Sequence, residues 1–179
     1  MFLKWKSLSL AGFLITLAMA CFSGSSPNQQ LPFYQSVYSI DDILQSDFAG
    51  LRPVFDHPSD TTYILNFWAT WCRPCVEELP YFESLYDELQ GKSVRILLVS
   101  LDFPDQASEK LPAFIRRHQV KNQVWYLNDP HPDHWINEIN DAWSGSIPAT
   151  LIWKGEQKAF REGAFTDLQE LRSFIQPYI

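Results

Sequence analysis

The sequence predicts an α/β fold in which a mixed central β-sheet is flanked by helices on both faces. Two near-continuous apolar runs, 61–69 and 94–101, are typical of strands that are buried on both faces. Each run is followed by a segment whose apolar residues recur at three- and four-residue spacing, which indicates a helix. Near the end of the chain, a turn at 154–157 joins two strand-like runs, as in a β-hairpin. Alternating units followed by a hairpin predict both parallel and antiparallel strands in one sheet.

The individual elements follow in order from residue 39. The predicted strands span 61–69, 94–101, 124–127, 149–153 and 158–161. The predicted helices span 41–44, 72–89, 105–119, 133–141 and a last segment that begins after Thr166 or Asp167. Ser39 is a candidate N-cap of the first helix and Arg52-Pro53 its end, whereas Pro80 is expected to kink the second. No internal repeat interrupts this order, so residues 39–179 are predicted to form one domain.

Composition and charge restrict the classes of partner. Of the 179 residues, 46% are hydrophobic and 15% aromatic, which argues against a disordered chain. The 21 acidic residues outnumber the 14 basic ones, so the formal net charge is −7. A surface of this charge repels phosphate backbones, and no nucleic-acid partner is predicted.

The first twenty residues have the order of a secretory signal peptide. Lys4 and Lys6 precede an apolar run over 8–20 that ends in small residues, and the run is too short to span a membrane. We therefore predict a signal peptide over 1–20 and export to the bacterial cell envelope. Residues 21–38, which are rich in Ser, Gly, Asn and Gln, are expected to be a tether between the membrane and the folded domain.

Cys21 comes directly after the predicted signal peptide, and three interpretations of this boundary remain open. Its position resembles that of the lipid-modified cysteine of bacterial lipoproteins, and acylation would remove an exposed thiol from oxidation. Ala18-Met19-Ala20 also fits the cleavage site of an ordinary signal peptidase, and Leu17 lies one residue too far from Cys21 for the usual lipoprotein pattern. An uncleaved anchor is the third interpretation. We expect a lipid anchor on Cys21.

The pair Cys72 and Cys75 carries the strongest functional prediction. It lies where a buried strand ends and a helix begins, which is typical of a redox-active C-x-x-C motif. The positive end of the helix dipole favours a thiolate on Cys72, and Cys75, one turn further on, is expected to be more buried. Cys72 is therefore predicted to attack a disulfide and Cys75 to resolve the product. Between them, Arg73 adds positive charge and Pro74 rigidifies the first turn.

The run Asn66-Phe67-Trp68-Ala69-Thr70-Trp71-Cys72-Arg73-Pro74-Cys75, with Glu78-Leu79-Pro80, resembles the thioredoxin superfamily. It is most similar to the TlpA-like, envelope-tethered thiol-disulfide oxidoreductases, and the resemblance covers about residues 39–179. It implies a thioredoxin fold and protein disulfides as substrates. It also implies a membrane electron-donor protein that regenerates the dithiol. No cofactor or metal is expected.

The resemblance also assigns roles to residues around the cysteines. Asn66 replaces the buried aspartate of thioredoxin, and Glu78 is expected to take and return the Cys75 proton instead. The Ile147-Pro148 bond is expected to be cis and to face Cys72, with the Ile147 backbone free to pair with an extended substrate. Trp71 is expected at the rim of the substrate-binding site. Arg73 and Pro74 complete the predicted substrate-binding residues, and Glu77 is interpreted as a surface charge.

Three other functions compete with this interpretation. His131 and His134 could complete a Cys₂His₂ metal site with the two cysteines. Peroxiredoxins share the fold and an activated cysteine, but Thr70 lies two rather than three residues before Cys72, so their sequence pattern is absent. A binding domain without redox activity would have little reason to contain this combination of residues. The insert over 129–146 either sets substrate specificity or is a plain connection.

Overall fold

The structure, a computed structural model, describes residues 38–40, 43–55 and 60–179. The predicted signal peptide, Cys21 and the tether up to residue 37 lie outside these residues. The strands are Tyr38–Ile40 (β1), Ile43–Ser46 (β2), Thr62–Trp68 (β3), Val94–Ser100 (β4), Gln123–Leu127 (β5), Ala149–Lys154 (β6) and Gln157–Glu162 (β7). The helices are Phe48–Leu51 (α1), Arg73–Glu88 (α2), Pro104–Ala107 (α3), Lys110–His118 (α4), Pro132–Ile139 (α5) and Leu168–Ile175 (α6). Two 3-10 turns, Arg52–Val54 and Gln176–Tyr178, complete the described part.

The described strands form one mixed sheet in the order β1-β2-β5-β4-β3-β6-β7. Strands β2, β5, β4 and β3 run parallel, whereas β1, β6 and β7 pair antiparallel with their neighbours. The central strand β3 is buried along its whole length. Both the mixed sheet and the predicted hairpin, which β6 and β7 form, are confirmed.

Helices cover both faces of the sheet, as predicted. Along β3, alternate residues point to opposite faces, so Ile64 and Trp68 face a core that contains Leu79 and Phe82 of α2 and Leu171 of α6. The opposite face holds an aromatic cluster with α1 and α5. Its members are Phe48, Phe67, Trp135 and Trp143. The C-terminal end of β3, where the site lies, is therefore enclosed from both sides. No helix of the described residues is long and apolar enough to cross a membrane.

The predicted helix over 41–44 is wrong at residues 43 and 44, and residues 41 and 42 lie outside the described part of the chain. Residues 43–46 form β2, which pairs with β1 on one side and with β5 on the other. Ile43 and Leu44 suit a strand as well as a helix, and the contact with β5, far away in the sequence, decides between them. A short helix that was not predicted, α1, follows at Phe48–Leu51, where the Asp47 side chain accepts a hydrogen bond from the Gly50 N–H, and it ends before Arg52-Pro53.

The predicted helix over 105–119 is two helices, α3 and α4, with a break at Ser108 and Glu109. Pro112 explains the break, because a continuous helix would need its missing N–H and would push its ring into the Ser108 carbonyl. In the first turn of α4 the missing N–H costs little, since donors there have no partner within the helix. At the last helix, α6, the N-cap is Asp167, one of the two predicted candidates, and its side chain accepts a hydrogen bond from the Glu170 N–H.

Candidate functional site

The two cysteines lie at the N-terminal end of α2 and form a disulfide. Cys72 is the N-cap residue of α2, and Cys75 lies in its first turn. Their sulfur atoms are 2.04 Å apart and their Cα atoms 5.3 Å apart, so the structure represents the oxidised protein. Cys72 exposes 6% of its surface and Cys75 only 1%. An incoming thiol therefore reaches Cys72 more easily than Cys75.

The loop before β6 approaches Cys72 directly. The Ile147-Pro148 peptide bond is cis, as expected from the sequence. The Ile147 carbonyl oxygen lies 3.7 Å from the Cys72 Sγ atom. The loop is held from behind by Trp143, a buried residue whose indole N–H donates to the Ser146 carbonyl over 2.8 Å. Part of the 129–146 insert therefore supports the loop that faces the reactive cysteine.

Glu78 is a buried carboxyl group on the same side of α2 as Cys75. Its Oε1 atom accepts from the Asn66 Nδ2 atom over 2.8 Å, and its Oε2 atom accepts from the Phe165 N–H over 2.8 Å. Burial raises the pKa of Glu78 from 4.5 to about 7, although these two hydrogen bonds and the Arg161 charge oppose the rise. A carboxyl group with this pKa can both take and return a proton near neutral pH.

Asn66 connects Glu78 to the strand beyond it. Its Nδ2 atom donates to Glu78 and also, over 3.1 Å, to the Thr150 hydroxyl of β6. Asn66 and Thr150 are both buried and lie opposite each other in the β3–β6 pair. The residue that replaces the thioredoxin aspartate therefore orients the carboxyl group that was predicted to take over its role.

The other predicted substrate-binding residues form an exposed rim around Cys72. Trp71, Arg73 and Pro74 are all exposed. The Trp71 ring stacks on Phe103, the residue three positions after β4, with a centroid distance of 5.3 Å. The Arg73 guanidinium pairs with Glu77 over 2.7 Å, and both side chains are largely exposed. Glu77 is therefore a surface charge, as predicted, whereas Phe103 was not singled out from the sequence.

Asp102 is a further polar residue at the site that the sequence did not reveal. Its buried carboxylate accepts from the Thr70 N–H at 3.2 Å, the Thr70 hydroxyl at 2.5 Å and the Ser100 hydroxyl at 2.7 Å. Thr70 lies in the turn between β3 and α2, so Asp102 connects the end of β4 to the turn that carries the cysteines. A polar residue directly after an apolar strand was the available sequence signal.

The residues of the competing interpretations are used differently. The Thr70 hydroxyl donates its single hydrogen to Asp102, so it is not a donor to Cys72 as a peroxidase would need. The His131 and His134 rings lie 5.6 Å apart. Within the described ranges, no group of three or more His, Cys, Asp or Glu side chains could hold a metal ion. Trp68 is fully buried and packs against Phe114, so it is part of the core.

Comparisons with known proteins agree with this geometry. The model of the AhpC/TSA family matches residues 54–158. The chain is 38% identical over 140 residues to the thiol-disulfide oxidoreductase ResA of Geobacillus thermodenitrificans, covering 76% of this chain and 75% of that protein. With the ResA protein of Oceanobacillus iheyensis it shares 36% over 115 residues, which are 63% of this chain but only 54% of that protein. The chain thus spans about half the length of this second relative.

Solved structures show the same fold. The crystal structure of StoA from Bacillus subtilis aligns with a TM-score of 0.50 and 25% identity, covering 65% of this chain and 83% of that one. A thioredoxin-related protein from Neisseria meningitidis serogroup B aligns with a TM-score of 0.57 and 21% identity, covering 67% and 86%. The family model matches more than half of the chain, and a ResA protein is matched over three quarters of its length. This chain therefore belongs to the AhpC/TSA family of thioredoxin-fold proteins, in the group that contains the thiol-disulfide oxidoreductases named ResA.

Proposed function

We propose that the protein is a thiol-disulfide oxidoreductase that reduces disulfides in proteins of the bacterial cell envelope. The observation that carries the proposal is the Cys72–Cys75 disulfide at the start of α2, between the Ile147 carbonyl and the exposed rim. The names of the relatives support the reaction class. The predicted signal peptide over 1–20 supports the location.

The reaction starts from the reduced protein. A thiolate on Cys72, stabilised by the N-terminal end of α2, attacks one sulfur of the substrate disulfide. The other substrate sulfur leaves as a thiolate and takes a proton, and Cys72 is joined to the substrate in a mixed disulfide. The Ile147 backbone pairs with the substrate segment during this step, and the short distance between its carbonyl oxygen and the Cys72 sulfur supports this role.

Resolution requires Cys75 to lose its proton inside the protein. Glu78, one turn further along α2, accepts that proton, and the Cys75 thiolate attacks the Cys72 sulfur. The second substrate sulfur leaves as a thiolate and takes a proton from solvent, and Glu78 returns its proton to Cys75 when the pair is reduced again. The substrate has then gained two electrons and two protons, and Cys72 and Cys75 are joined in the disulfide seen in the structure. A membrane electron-donor protein must return two electrons to the pair before the next cycle.

The reduction potential of the Cys72–Cys75 pair tests the proposed direction. The protein would be equilibrated in graded thiol–disulfide buffers, and its free thiols trapped and counted. We expect a value near that of thioredoxin, about −270 mV, because a reductant must give its electrons to substrate disulfides. A value near −120 mV would instead make the protein a disulfide donor, and the absence of a reversible couple would contradict the proposed reaction.

Attachment to the membrane is a separate part of the proposal. If Cys21 is acylated, wild-type protein expressed in a bacterium will incorporate radiolabelled palmitate and sediment with membranes. The Cys21→Ser variant will then lose the label. Labelling that survives the substitution, or wild-type protein that is released without its signal peptide and without label, would contradict the lipid anchor.

A further inference from the structure

A small cavity lies between the sheet and helices α3 and α4. It has a volume of about 120 Å³ and a lining that is mostly apolar. Ile43 of β2, Ala107 of α3 and Leu111 of α4 supply buried apolar surface. A dry cavity of about 150 Å³ admits benzene, whereas sites for drug-sized ligands and cofactors measure about 300–1,000 Å³. The size therefore fits a single aliphatic side chain.

One polar group of the cavity has no partner. Tyr126 of β5 lines the cavity and is 6% exposed, and within the described part of the chain its buried hydroxyl makes no hydrogen bond. Buried hydroxyl groups are almost always paired, so this one indicates a group that the cavity receives from outside. Burial and the nearby Asp102 and Asp105 charges raise the pKa of Tyr126. The hydroxyl therefore stays protonated as a hydrogen-bond donor, and the two carboxylates disfavour an anionic ligand.

One residue of the cavity lining is joined directly to the exposed rim of the redox site. Pro104 lines the cavity and directly follows Phe103, whose ring stacks on Trp71. Trp71 in turn precedes Cys72. Trp71 and Phe103 are 49% and 54% exposed, so both aromatic rings are open to a substrate that is attacked by Cys72. Because an extended chain advances about 3.3 Å per residue, a side chain a few residues from the cysteine under attack can reach from Cys72 past Trp71 and Phe103 to Pro104.

We infer that the cavity is a specificity site that binds one uncharged aliphatic side chain of the substrate polypeptide, a few residues from the cysteine under attack. The Tyr126 hydroxyl donates to a main-chain carbonyl of the same segment. This inference rests on the proposed function, because it names the kind of substrate segment that the redox site selects. Such a site would select substrates with apolar rather than acidic residues near the cysteine under attack.

Kinetics with a series of peptides test the inference. Each glycine- and serine-rich peptide carries one cysteine, joined in a disulfide to the chromophore thionitrobenzoate, and one leucine placed two to five residues before or after it. We expect one leucine position to raise kcat/KM about tenfold over alanine at that position, since a small apolar pocket discriminates by about 10–200-fold. Glutamate at the same position should react more slowly than alanine.

Two variants connect any preference to the cavity. Ser108 is exposed at the mouth, so Ser108→Trp should abolish the leucine preference, whereas Ser173→Trp, on exposed surface of α6, should preserve it. Tyr126→Phe should lower kcat/KM for the leucine and alanine peptides alike, because the lost hydrogen bond goes to the main chain of both. Reaction with a small disulfide that lacks a side chain for the cavity should be unchanged by Ser173→Trp. Equal rates for leucine and alanine at every position, or a preference that survives Ser108→Trp, would overturn the inference.

A binding measurement separates this inference from the proposed reaction. The oxidised wild-type protein is titrated with the best leucine peptide after its cysteine is replaced by serine. NMR signals of the Ile43 and Ala107 methyl groups should shift with the leucine peptide and stay in place with the alanine peptide. Shifts without any turnover of the disulfide peptides would reject the proposed function and support the cavity. Turnover of the disulfide peptides with no NMR shift and no leucine preference would show that the cavity does not bind the substrate, and would reject the inference.

Discussion

Glu78 is the residue at which stability and chemistry oppose each other. A carboxyl group buried among apolar side chains costs free energy when it ionises, and this cost raises its pKa to about 7. Asn66 and the Phe165 N–H recover part of the cost by donating one hydrogen bond to each oxygen. The arrangement is understandable if the protein needs a proton acceptor next to Cys75.

The Glu78→Gln variant tests this role. Glutamine keeps the size of the side chain but cannot take a proton, so resolution of the mixed disulfide by Cys75 should slow about 100-fold or more near pH 7. In the wild type the resolution rate should rise with pH through about 7, because ionised Glu78 is the acceptor. Rapid-mixing kinetics on a trapped mixed disulfide, measured from pH 5 to 9, would follow both effects.

Glu77 provides the matched control. It is the adjacent acid on α2 but is exposed and paired with Arg73, so Glu77→Gln should leave the pH midpoint of resolution near 7. Equal rates for wild type and Glu78→Gln across the pH range would contradict the proton-transfer role.

At the scale of elements, the turn between β3 and α2 depends on a residue from another strand. Asp102 holds Thr70 from the end of β4, and its negative charge lies close to the segment that carries Cys72. Asp102→Asn removes the charge and one strong acceptor. We expect the unfolding free energy to fall by about 1–3 kcal/mol and the Cys72 thiolate to become more favourable. The alkylation rate of the reduced protein by iodoacetamide should then reach half its maximum at a lower pH.

Asp105→Asn is the control for this variant, because Asp105 is an exposed acid three residues further along the chain. It should change neither the stability nor the alkylation midpoint to a comparable degree. A lower stability of Asp102→Asn with an unchanged alkylation midpoint would show that Asp102 is structural only.

The elements also show where local sequence information is insufficient. Strands β3 and β4 were predictable because each is a long apolar run. The β6–β7 hairpin was predictable because a glycine, Gly155, lies between two strand-like runs, and the structure places it in the turn with a φ of 56°. The edge strand β2 is only four residues long, and its pairing with β5 decides its conformation. The break between α3 and α4 was predictable in principle from Pro112 alone.

For the whole molecule, Glu78 makes stability depend on pH. In the unfolded chain its carboxyl group ionises around pH 4.5, whereas in the folded protein it keeps its proton up to about pH 7. Between these values the folded state binds more protons, so the contribution of Glu78 to stability falls as pH rises through this window. The shift corresponds to about 3 kcal/mol lost by pH 8.

Chemical denaturation of the oxidised protein from pH 4 to 8 measures this contribution. The unfolding free energy of Glu78→Gln minus that of the wild type should increase across the window, because glutamine does not titrate. Taking the difference between the two proteins cancels the pH-dependent stability that other groups contribute. Glu170 is one such group: hydrogen bonds from Thr166 and Arg161 lower its pKa to about 2, so its contribution to stability changes only at pH values below this window. A difference that is constant with pH would contradict the raised pKa.

Short-range features of the chain were sufficient to predict the fold class and the reactive pair. The cysteines, Arg73, Pro74 and Glu78 lie within seven residues of one another, so one strand end and two helical turns determine their relative positions. The resemblance of this segment to a known family also anticipated the cis bond at Pro148, which faces Cys72 from 75 residues away.

Contacts between distant segments decided everything else at the site. Asp102 reaches Thr70 over 32 residues, Phe165 reaches Glu78 over 87, and Phe103 lies against Trp71 only because β4 ends beside β3. The cavity at Tyr126 likewise requires β2, β5, α3 and α4 to come together. No periodicity or spacing encodes such contacts, because they arise when the buried faces of separate elements pack into one core.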